Sequence, residues 1–153
     1  MTEKTYHVST PEETKRLAEK IALLLRPNDC LTLSGDLGAG KTTFTKGLGI
    51  GLGVKRTINS PTFMIVKVYQ GEKTLYHIDA YRLEDEEEDI GFDDYFYGEG
   101  VTVVEWPQYI SSFLPDERLD ITINKVDDSD QRVITLTSTS DYFDYVIKEI
   151  PHI

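Results

Sequence analysis

Gly35, Gly40, Lys41 and Thr42 fall at the spacing G-x-x-x-x-G-K-[ST], and those residue types in that order suit one task, holding a chain of phosphates. Backbone N–H groups must converge on phosphate oxygens, which demands glycine wherever a side chain would block the approach. Lys41 is placed to reach the β and γ phosphates, and the Thr42 hydroxyl to ligate Mg²⁺. A helix starting here turns its positive dipole end towards the same anion. The bland alternative is a glycine-rich strand-to-helix turn with a capping threonine. Chance yields the full pattern in only about half a per cent of chains this long, which favours the phosphate reading. The expected ATP-binding set is Thr10, Asp36, Leu37, Gly38, Ala39, Gly40, Lys41, Thr42 and Thr43, with Arg132 a candidate to touch the nucleotide from its own loop.

Such a loop needs an acid from a neighbouring strand to hold or orient Mg²⁺ and its waters. Glu105 closes the apolar run Val101-Thr102-Val103-Val104, and Asp79 follows Leu75-Tyr76-His77-Ile78. Strand-end carboxylates are also common as solvated loop residues. With the phosphate loop present, Glu105 is expected on the metal and Asp79 beside it, orienting water or a metal-bound ligand. The metal set is then Thr42 and Glu105, and the catalytic set Lys41, Asp79, Glu105 and Thr62. Thr62 enters because Ser60-Pro61-Thr62-Phe63 stands where a γ-phosphate sensor is often found; the alternative is a proline turn before a strand. Trp106 is either core or site lining. His77 reads as a packed strand residue, since no His/Cys cluster accompanies it.

These residues require elements to position them. Thr10-Pro11-Glu12-Glu13 is a helix start, with Thr10 at the N-cap and Glu13 at N3. Leu17, Ile21, Leu24 and Leu25 continue at helical spacing, and 26–29 stops the helix. A short strand over 5–9 precedes it. Cys30 to Ser34 is a strand feeding the phosphate loop, and a helix should run from Lys41 to about Gly53. Gly47, Gly49 and Gly51 fall inside it, each costing roughly 0.8–1 kcal/mol against Ala; close packing on the sheet or frayed last turns would each account for them. Residues 63–69 and 74–79 read as a strand pair, 120–126 and 132–137 as a second, and 141–150 as a final helix. The pattern predicts one α/β domain over 1–153, similar to P-loop NTPases, with a mixed, partly antiparallel sheet.

Charge narrows the partners. With a net charge of −11, the summed field has the wrong sign for a phosphate backbone; DNA is not expected, and any nucleic acid is expected to be held mainly by another subunit. No apolar stretch approaches the roughly 18 residues that cross a bilayer, and the N-terminus lacks a signal-peptide pattern. One cysteine fits a reducing compartment, so a cytoplasmic protein is expected. The acidic run 84–89 is most simply a solvated helix face, otherwise a docking surface for a basic partner. Asn124-Lys125-Val126-Asp127 spells the guanine-reading N-K-x-D pattern, yet it sits in a strand-turn-strand segment without a D-x-x-G and reads as coincidence. A kinase lid with clamping arginines is not visible. A module whose ATP binding, rather than hydrolysis, does the work remains the non-enzymatic alternative.

In order along the chain, Gly35-Asp36-Leu37-Gly38-Ala39-Gly40-Lys41-Thr42-Thr43-Phe44, Ser60-Pro61-Thr62-Phe63, His77-Ile78-Asp79-Ala80-Tyr81-Arg82-Leu83 and Val104-Glu105-Trp106-Pro107 closely resemble the TsaE (formerly YjeE) family of bacterial P-loop ATPases. The likeness spans roughly 5–132. It implies a role in making threonylcarbamoyladenosine, a modified base beside the anticodon of tRNAs that read codons beginning with A. In that family's pathway a TsaD–TsaB pair transfers threonylcarbamoyl to tRNA from an adenylate made by TsaC, and TsaE binds the pair and hydrolyses ATP to reset it. By carry-over, Lys41 and Thr42 serve phosphate and metal, Glu105 serves Mg²⁺, and Asp79 and Thr62 belong to the active site. The glycines of 47–51 and the acidic run depart from the family's pattern, which bears on the partner surface rather than the ATP site.

Overall fold

The computed structural model describes residues 2–36, 38–56, 58, 66–81 and 91–151. Leu37, Thr62 with its neighbours 60–63, Arg82 and the acidic run 84–89 lie outside the described residues.

Strand β1 (Glu3–Val8) leads into helix α1 (Pro11–Ala22). The expected cap is present: Thr10 Oγ1 accepts from the Glu13 N–H, and the Glu13 carboxylate accepts from the Ser9 N–H. The helix ends at Ala22, earlier than the sequence suggested; Leu24 and Leu25 continue as single turns that still bury Leu25. Strand β2 (Cys30–Ser34) has the expected bounds and passes through the glycine loop into α2 (Lys41–Gly51). After β3 (Val66–Tyr69) and β4 (Leu75–Asp79) come a short helix α3 (Phe92–Phe96) and β5 (Val101–Glu105). A 3₁₀ segment, Pro107–Phe113, precedes the hairpin β6 (Leu119–Lys125) and β7 (Arg132–Ser138), and α4 (Asp141–Glu149) closes the chain. Neither α3 nor the 3₁₀ segment was expected from the sequence, because both are too short to show a period.

All seven strands form one sheet in the order β1-β7-β6-β2-β5-β4-β3. The central four, β6, β2, β5 and β4, run parallel; β7 and β3 run antiparallel to them on either side, and β1 pairs antiparallel with β7 at the edge. This is the mixed sheet expected. Alternation along each strand sorts side chains between two cores. One face carries Leu31, Leu33, Val101 and Val103 against α1, α2 and α4. The other carries Cys30, Ile78 and Val104 against Phe92, Phe96 and Ile110. Cys30 is free, and burial pushes its thiol up to about 12, so it stays protonated and inert near neutral pH.

The glycines of α2 have a different explanation from sheet packing or fraying. A methyl on Gly47 would stand 2.4 Å from the Lys15 carbonyl oxygen and 2.8 Å from Ala18 Cβ, and one on Gly51 2.6 Å from Ala22 Cβ. Gly47 and Gly51 therefore let α2 lie directly on the backbone of α1. Gly49 faces another way: a methyl there meets the Ile58 Cδ1 atom at 2.2 Å, the free end of a side chain that can turn aside. Gly47→Ala is accordingly expected to destabilise the protein by on the order of 1 kcal/mol or more in urea unfolding, since overpacking of about 1–3 kcal/mol exceeds the helix-propensity gain of about 1 kcal/mol. Gly49→Ala should lose clearly less. Equal losses would mean that the α1 contact is not what requires glycine.

Candidate active site

The loop leaving β2 turns back sharply against β6. Gly35 has φ +149°, and a methyl there would lie 2.4 Å from the Ile123 carbonyl oxygen. Gly38 and Gly40 have φ +78° and +113°, the left-handed region that favours glycine. Gly40 is the N-cap of α2 and offers no side chain, so the first N–H groups of the helix are left for a ligand. The loop is tied to β7, where the Arg132 Nε–H donates to the Ala39 carbonyl oxygen at 2.8 Å.

Parallel pairing brings the acids to this loop. Leu33 of β2 pairs with Glu105 of β5, and Glu105 pairs with Asp79 of β4. Both carboxylates therefore stand at the C-terminal ends of central strands, the usual ligand crevice of an open α/β sheet. His77, Asp79 and Glu105 share the face on which α2 begins. Lys41, Thr42, Thr43, Asp79, Glu105 and Trp106 line one cavity of about 270 Å³ together with Gly38 and Gly40. A second hollow of about 90 Å³ meets it at Gly38, Gly40 and Thr43 and is walled by Pro11, Thr14, Asp130 and Arg132. Thr10 caps α1 beside this hollow, whose wall is formed by its neighbours Pro11 and Thr14. A larger cavity of about 320 Å³ lies at the opposite ends of the strands, where Asp29, Asp116 and Glu117 would repel an anion.

Lys41 is the charge that holds this arrangement together. Its Nζ donates to the Gly35 carbonyl oxygen at 2.9 Å and lies 3.9 Å from the centre of the Trp106 ring. Burial lowers its pKa, while Glu105, Asp79 and Asp36 pull it back up. Asp79 has a raised pKa, first through burial and then through the Glu105 charge; the Tyr81 N–H, His77 and Lys41 oppose the rise. Trp106 reaches the lysine from a left-handed backbone (φ +58°), a conformation costly for a bulky residue. Its ring stacks on Tyr109 and meets Tyr81 edge-on.

A hydroxyl and two carboxylates are hard oxygen donors that suit Mg²⁺, which needs only one or two protein carboxylates besides phosphate and water. No cluster of three or more His, Cys, Asp and Glu side chains gathers among the described residues. Asp36 is exposed on the loop, and Leu37 and Thr62 lie outside the described residues. Two residues gain significance that the sequence did not give them. His77 is fully buried and bonded to Glu105. Lys125, set aside with the N-K-x-D pattern, places its Nζ 3.3 Å from where a Gly38 methyl would stand. The segment 124–127 is indeed strand followed by turn.

Trp106 is the chain's single tryptophan, so the Lys41 contact has its own optical readout. Lys41→Met keeps the aliphatic stem and removes the charge, and should shift the Trp106 emission maximum in the ligand-free protein. An unchanged emission would contradict a cation seated on the ring.

Residues 8–134 match the family model described as threonylcarbamoyl adenosine biosynthesis protein TsaE. The tRNA threonylcarbamoyladenosine biosynthesis protein TsaE of Bacillus subtilis is 52% identical over 92% of this chain and 89% of the relative. That of Treponema pallidum is 40% identical over 80% and 92%. Among solved structures, the crystal structure of Bacillus subtilis YdiB superposes with a TM-score of 0.86 at 43% identity, covering 97% of this chain and 94% of that one.

Proposed function

The chain belongs to the TsaE family of tRNA threonylcarbamoyladenosine biosynthesis, and on that premise we propose that it binds ATP with Mg²⁺ in the cavity below the glycine loop and hydrolyses it. The observation that supports this most is the convergence of Lys41, Thr42, Asp79 and Glu105 on one cavity at the open N-terminus of α2. In this reading the N–H groups of 38–43 take the phosphates, and Lys41 leaves Gly35 and Trp106 for the β and γ phosphate oxygens. Thr42 and Glu105 hold the metal, which supplies charge neutralisation to the phosphates. Asp79 orients the attacking water; burial and the neighbouring Glu105 raise its proton affinity, which suits a group that accepts a hydrogen bond from water. Thr62 stands in the active-site set by resemblance. The hollow walled by Pro11, Thr14 and Arg132 is the place for the rest of the nucleotide, with Asp36 and Thr43 at its approaches and Thr10 holding the α1 start beside it.

The products, ADP and phosphate, are no part of the modified base, so hydrolysis serves a change in a partner. We assign that partner to a TsaD–TsaB complex in the cytoplasm, with tRNA held mainly by the partner because this chain carries a net charge of −11. The experiment is threonylcarbamoylation of tRNA by TsaC, TsaB and TsaD with and without this chain. Product should stop near one turnover per complex without it and continue when it is added with ATP. Lys41→Ala should cut sustained turnover by roughly 10²-fold or more, the usual cost of removing a preorganised donor. Sustained turnover that ignores the chain, or a fully active Lys41→Ala, would overturn the proposal.

A further inference from the structure

His77 is an expensive residue for a core. It lies on β4 with none of its surface exposed, and a leucine or phenylalanine would fill the space without a polar ring. Alternation along β4 puts it on the same face as Asp79, one step deeper into the sheet. Its Nε2 lies 2.5 Å from Glu105 Oε2, and the Glu105 side chain is itself only 5% exposed. The other ring nitrogen, Nδ1, is buried with no hydrogen-bond partner among the described residues. A carboxylate only accepts, so the hydrogen sits on Nε2 and is donated to Glu105. The ring's polar chemistry is therefore spent on this one carboxylate.

We infer that His77 is a positioning residue: its Nε2–H fixes the Glu105 carboxylate in the orientation in which it meets the metal of the bound nucleotide. A glutamate has three side-chain torsions and could otherwise sample several poses. With Oε2 held from behind, below the cavity floor, the carboxylate is presented in one pose without ordering at the moment of binding. Donors behind a metal-binding carboxylate typically change metal affinity by about 10–100-fold when removed. Asp79 takes no part in this fixing; its oriented oxygen, Oδ1, accepts from the Tyr81 N–H. A histidine that only filled space would influence folding stability and leave the metal dependence of nucleotide binding unchanged.

The inference rests on the MgATP reading, and the test separates the two. ATP binding is followed by calorimetry in EDTA and across a Mg²⁺ titration for the wild-type protein, His77→Phe and His77→Gln. His77→Phe should bind ATP in EDTA within about twofold of wild type but need roughly 10–100-fold more Mg²⁺ for the metal-dependent gain. His77→Gln, whose side-chain amide offers an N–H near the same place, should recover most of that loss. In a Glu105→Gln background, His77→Phe should produce no further change in Mg²⁺ dependence. If His77→Phe does not fold, His77→Leu carries the same comparison, and the wild-type against His77→Gln pair stands beside it. A folded His77→Phe or His77→Leu with wild-type Mg²⁺ dependence overturns the positioning role. Wild-type protein that binds no ATP in either condition overturns the underlying MgATP reading instead.

Discussion

Asp79 and Glu105 face one another across neighbouring parallel strands at the mouth of a cavity. Two like charges side by side and partly out of water resist being together, and no demand of sheet packing places them there. What offsets the cost is local. Lys41 adds its charge from the start of α2, His77 donates to Glu105 from below, and the Tyr81 N–H donates to Asp79. Each of these groups depends on the strand register, because a slip of one residue would turn Asp79 or Glu105 to the opposite face. The pair thus ties sheet geometry to chemistry: strand pairing gathers two carboxylates at a single cavity mouth lined by one lysine.

The rest of the molecule fixes where that lysine stands. The loop that carries it is bound at both sides, by Gly35 pressed on β6 and by Arg132 bonded to the Ala39 carbonyl. Helix α2 in turn is held on α1 at Gly47 and Gly51, where backbone meets backbone. Since α1 starts at the capped Thr10 beside the second hollow, the same helix pair supports both the cavity and the hollow. Trp106, in a left-handed backbone that is costly for a bulky residue, lies by Lys41 at the mouth.

How much of this the sequence reveals depends on the range of the interaction. The glycine loop, the bounds of β2, the Thr10 cap and the two strand-end carboxylates follow from local chemistry and could be read directly. The strand order could not, since parallel neighbours are far apart in the chain and their pairing leaves no local period. For the same reason the glycines of α2 were unexplained until α1 was seen against them. His77 looked like packing because its partner lies on another strand, 28 positions away. Lys125 was legible only as part of a misleading pattern; its nearness to Gly38 is a product of the β2–β6 pairing.

The role of the opposed carboxylates is tested most directly by phosphate release from ATP in wild-type protein and in Asp79→Asn, with nucleotide affinity measured on the same samples. The amide removes the charge and keeps the shape. Hydrolysis should fall by about 10²-fold or more, in the range typical of losing a group that handles the proton of the attacking water, while ATP affinity is retained. Asp79→Asn that hydrolyses ATP at the wild-type rate would contradict the assignment of this pair as the centre of the site.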